Sequence, residues 1–79
     1  MEKDLKELLR ELIDGQQQKL LKMGREVIPT LTSEDLLQPN DYPELEHNPL
    51  FRYEEGVLEG LQTTEMALLA YLQDQKVLS

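Results

Sequence analysis

With 79 residues and a formal charge of −8, the chain is one domain at most, and a domain of that size folding alone buries only ~60% of its unfolded surface. Chains this short draw extra stability from disulfides, a metal or a partner subunit. The absence of cysteine removes disulfides and thiolate metal sites and accords with a reducing, cytoplasmic setting. The longest apolar run, Met66 to Leu72, has seven residues where a membrane span needs ~20, and twelve charges among residues 1–27 do not suit a secretion signal.

Residues 3–28 are expected to form the first long helix. Leu5, Leu8, Leu9, Leu12, Ile13, Leu20, Met23 and Val27 recur at helical spacing,. Gly15 interrupts the pattern, and "IDG" resembles a helix end. The stripe Leu12, Gln16, Leu20, Met23, Val27 nevertheless keeps its phase across the glycine. One helix is therefore favoured, at ~1 kcal/mol for the glycine. Pro29 sets the end, because the residue before a proline avoids the helical region.

The connection spans 29–48. Within it "LTSEDLLQP" predicts a short helix at about 33–38, with Thr32 as cap, Asp35 reaching back to Thr32, and Leu31 packing on Leu36,. Pro39 is expected to stop it. "PNDYPELEHNP" reads as an ordered turn segment. Leu31, Leu36, Leu37, Tyr42, Leu45, Leu50 and Phe51 are too many apolar groups for a solvated tether, so this segment should fold back on the helix ends.

The second long helix is expected over 49–75, with Asn48 as N-cap and Pro49 at the first position. It carries a row of small residues, Gly56, Gly60, Thr63, Ala67 and Ala70, at successive steps of four, three, four and three. Beside the row lie Leu50, Val57, Leu61, Leu68 and Leu72, with Tyr53 and Tyr71 at the boundary. Only a narrow sector with Glu55, Glu59, Gln62 and Gln73 is consistently polar. A helix this apolar around its circumference is a buried one, and the first helix can cover only one face. Small side chains permit close helix approach. The row is read as a helix–helix or dimer interface. The expected fold is all-α: an antiparallel helical hairpin with a long ordered connection, dimerising into a four-helix bundle. The alternative is that the row packs within the chain.

Residues 1–27 hold six acids and six bases, whereas residues 28–79 hold ten acids against Arg52 and Lys76. Such a surface repels phosphate backbones, so no nucleic acid is expected as a partner. Glu54 and Glu65 fall inside the apolar arc and need partners, with Lys19, Lys22, Arg10 and Gln16 within reach. Glu44-x-x-His47 resembles half of a bundle metal site, but His47 directly precedes a helix start, which is the wrong geometry. Ser33 and Ser79 are the only serines and His47 the only histidine, and no phosphate loop or nucleophile motif is present.

The expectation is a small acidic protein with no enzymatic activity and no cofactor or metal. It acts by interaction, as an adaptor, chaperone-like or regulatory protein. It forms a homodimer, holds an unidentified protein partner, and has no membrane contact. The possible partner surface is Tyr42, Glu44, Glu46, His47, Arg52 and Tyr53, since tyrosine and arginine concentrate at binding hot spots. The alternatives are a carboxylate metal bundle using Glu44 and His47, joined by Glu54 or Glu65, and an acidic mimic that occupies a basic partner surface.

Overall fold

The computed structural model describes residues 4–37 and 42–78. Within them lie α1 (Leu5–Val27), a single 3-10 turn (Asp35–Leu37), a one-turn α2 (Pro43–Glu46) and α3 (Pro49–Leu78). The expected stop at Pro39 and the turn through Asn40 and Asp41 lie outside the described residues.

Each of the two long helices begins where a side chain satisfies its free amides, whereas α2 has no side-chain cap at Tyr42. The Asp4 carboxylate accepts from the Glu7 amide at 2.8 Å. The Asn48 side chain accepts from the Leu50 and Phe51 amides at 3.0 and 3.1 Å. α1 continues through Gly15 without a break. It ends at Ile28, which is extended (φ −126°) and donates its amide to the Gly24 carbonyl. Arg25 then braces the exit, its Nε donating to the Leu31 carbonyl at 2.8 Å. At the 3-10 turn, the Asp35 carboxylate accepts from the Thr32 amide at 2.9 Å, and the Thr32 hydroxyl accepts from the Asp35 amide.

α1 and α3 pack along their length and run antiparallel. Residue 10 pairs with 65, 16 with 54 and 19 with 54, so residue numbers at one level sum to between 70 and 75. On α3 the seam is Phe51, Glu54, Leu58, Leu61, Glu65, Leu68 and Leu72, all buried or half-buried. On α1 it is Leu9, Ile13, Gln16, Leu20 and Met23. The wider α1 stripe expected from sequence is corrected here: Leu5, Leu8, Leu12 and Val27 are exposed, and Leu21 and Gly24 are buried instead. Periodicity gives the phase of a stripe but not which edge of it a partner covers.

The buried cluster of Leu20, Leu21, Leu31, Leu45 and Phe51 lies at the connected end, with Ile28, Leu36, Tyr42 and Leu58 packed against it. Gly24 admits this packing. A methyl group there would collide with the Leu31 side chain and touch the Phe51 ring. The other end of the helix pair is thin. Six of the ten exposed large apolar side chains among the described residues lie there: Leu5, Leu8, Leu12, Met66, Leu69 and Tyr71. The radius of gyration is 15.5 Å, against ~12 Å for a compact domain of this length.

Candidate interaction surfaces

One flank of the helix pair is a polar groove of about 530 Å³. α1 contributes Gln17 and Gln18; α3 contributes Arg52, Glu55, Glu59 and Gln62. Leu20, Phe51 and Leu58 floor it, and Ser33 and Leu36 bring the connection to its edge. Arg52 and Glu55 form an ion pair at 3.0 Å. The walls are amide, carboxylate and one guanidinium, which bind through hydrogen bonds.

The seam carboxylates are held by charge. The Lys19 ammonium lies 2.7 Å from Glu54 Oε2, but off the direction of a hydrogen bond, so that buried oxygen has no aligned donor. The Gln16 amide donates to the Glu54 carbonyl at 2.9 Å. Arg10 reaches Glu65 at 3.4 Å and also Asp14 at 3.7 Å. Burial of these acids is thus offset by cations whose heads remain in water. Among the described residues, no three His, Asp or Glu side chains gather to hold a metal. Glu44 and His47 are both exposed, on α2 and at its C-cap.

The segment around residues 42–55 divides. Tyr42 is half-buried against the core cluster, and its hydroxyl hydrogen-bonds the Asp35 carboxylate. The hydrogen bonds from Thr32, chiefly its backbone amide, and then from Tyr42 hold Asp35 below the usual carboxylate range,. Leu45 is wholly buried and Glu46 half-buried. Glu44, His47, Arg52 and Tyr53 are exposed. Tyr42 therefore ties the connection to the core cluster.

The five small residues of α3 are all exposed, and a methyl group added at Gly56 or Gly60 would meet nothing within 4 Å. They lie opposite the α1 seam. A second apolar series runs beside them: Leu50, Tyr53, Val57, Gly60, Thr64, Ala67 and Tyr71, each one residue before a seam position and all exposed. The matching α1 positions are Leu8, Leu12, Gly15, Lys19 and Lys22, also exposed, with Leu5 continuing the spacing. Residues one place after the seam line the groove on α3, as Arg52, Glu55, Glu59 and Gln62, and Gln17 holds the same place on α1. Residues one place before it therefore share the opposite side, the leucine side. Sequence reading missed this side. Its signal was present in the alternating steps of three and four from Leu50 to Tyr71, which is a coiled-coil spacing.

Comparison with known protein families, curated proteins and solved structures finds no match.

Proposed function

We propose that this chain is a non-enzymatic helical interaction protein of the cytoplasm, an antiparallel hairpin that pairs with a second copy into a four-helix bundle and presents its acidic groove side to a protein partner. The observation that carries the reading is the apolar surface left bare at the open end of α1 and α3, where Leu5 is 64% and Tyr71 59% exposed. A lone two-helix layer cannot cover two faces of one helix, and leaving such side chains in water forgoes ~1.5–3 kcal/mol each. A second helical layer supplies the missing cover. The small row Gly56, Gly60, Thr63, Ala67 and Ala70 lies on the outward part of α3 available to it.

The groove side supports the partner role. Arg52, exposed at its wall, and Tyr53, on the next residue, belong to the types that anchor interfaces, and Glu55 and Glu59 give the wall its negative sign. No helix among the described residues is long and apolar enough to cross a membrane, so the bare apolar residues are better matched to a protein surface than to a bilayer core.

The test is mass against concentration. Sedimentation from low micromolar to high micromolar chain should show a dimer that dissociates on dilution, and the melting temperature should rise with concentration. A 9.2 kDa monomer at every concentration, with a melting temperature that does not move, would sink the pairing. Stoichiometric metal in purified protein, lost in His47→Ala, would replace it with the carboxylate-bundle alternative.

A further inference from the structure

Granted that copies pair as proposed above, we infer that the leucine side of one copy is covered by the leucine side of a second, about a twofold axis parallel to the helices. Charge selects the side. The chain carries sixteen acids, and two copies repel wherever those acids meet. The groove side presents Glu55 and Glu59. The leucine side holds no acid from Leu5 to Lys22 on α1 or from Leu50 to Tyr71 on α3; the first, Glu26 and Asp74, lie beyond its ends.

Angle allows the same side. One residue turns a helix by about 100°. Residues just before the seam thus form a second face about 100° from the first, on both helices. A square bundle of four helices requires two such faces on every helix.

Register selects the occupant. Rotation about an axis parallel to the helices keeps each residue at its own level and sets α1 against α3 of the other copy. Position 5 then faces 67, 8 faces 64, 12 faces 60 and 15 faces 57. Each pair sums to 72, inside the 70–75 range of the observed pairs. Leu5, Leu8 and Leu12 meet the partner's Ala67, the partner's Thr64 and the partner's Gly60. At the next level the sizes reverse, and Gly15 meets the partner's Val57. Ridge enters trough at these four levels, the self-complementarity that an isologous interface needs. The Thr64 hydroxyl already donates to the Gly60 carbonyl at 2.9 Å, so it brings no bare donor to a dry contact. Lys19 and Lys22 reach the level of the partner's Tyr53 and the partner's Leu50, where their stems can cover apolar surface while the ammonium groups stay wet. A twofold perpendicular to the helices would instead stack ridge on ridge and trough on trough, and leave voids.

Sedimentation of wild type, Leu8→Glu and Met66→Glu tests the side. Met66, also exposed, lies on the groove side. Wild type and Met66→Glu should sediment at twice 9.2 kDa at concentrations where Leu8→Glu is monomeric, with the helical circular dichroism of all three alike. Because the chain has no cysteine, Leu8→Cys and Thr64→Cys tests the axis and does not depend on the stability of Leu8→Glu. Mixed together under mild oxidation, the two variants should form the 8–64 disulfide faster than either variant links to itself. A wild type that is monomeric throughout overturns the pairing itself. A dimer untouched by Leu8→Glu leaves pairing standing and overturns this face. Links 8–8 or 64–64 forming as fast as 8–64 overturn the axis.

Discussion

Gly24 and Gly56 are both helical glycines, yet their surroundings give opposite expectations. At Gly56 nothing lies within 4 Å of an added methyl. Gly56→Ala should stabilise the protein by up to ~1 kcal/mol through helix propensity alone. At Gly24 the methyl collides with Leu31, which is 1% exposed and has little room to yield. Overpacking costs ~1–3 kcal/mol, so Gly24→Ala should be net destabilising despite the same gain in propensity. Urea denaturation of the two variants reads both signs. A stabilised Gly24→Ala would show that Leu31 can swing away and that the contact does not hold the connection in place. Gly24 carries no periodic signal in the sequence, because the reason for it is a side chain from outside its own helix.

At the scale of the element, the 3-10 turn depends on one carboxylate. Asp35 closes a reciprocal capping arrangement with Thr32 and accepts from Tyr42. Its pKa in the folded protein is lowered from 3.8. A lowered folded value means that stabilisation is fully present above the unfolded pKa and is lost as pH falls through the folded one. Thermal melts of wild type should therefore lose stability below pH 3.8 more steeply than those of Asp35→Asn, which has no proton to bind there. Parallel acid profiles would remove Asp35 from the cause. The Thr32–Asp35 half of this arrangement was legible as a local pattern, since cap and acid are three residues apart. The Tyr42 contribution was not, because it comes from the far side of the connection.

For the molecule as a whole, stability is unevenly distributed. The wholly buried Leu31 and Leu45 and nearly buried Phe51 gather at the connected end, while the open end has only one layer of contact. Local opening follows such differences in burial. In dilute solution, amides of residues 8–12 and 66–72 should exchange with solvent well before those of residues 20–24 and 54–58. Raising the chain concentration through the pairing transition should slow the open end selectively. Uniform exchange along α1 in dilute solution would show that the thin end is stable unaided, and that its exposed leucines need no cover.

Spacing and local caps in the sequence were enough to determine that this chain is helical, with two long helices joined by a segment rich in apolar residues. These signals act within a few residues, through backbone hydrogen bonding, propensity and amphipathic phase. The pairing of the awkward seam carboxylates was also within reach, because only a few cations share their phase. Which part of each apolar stripe is buried was decided by tertiary structure alone. α3 is apolar over most of its circumference, so its own pattern permits several seams. The connection packing at Gly24 and Phe51, and the Lys19–Glu54 and Arg10–Glu65 pairs, fix one of them. That choice turns the small row and the leucine side outward, and no local rule could state it, because it depends on which surfaces the rest of the chain reaches.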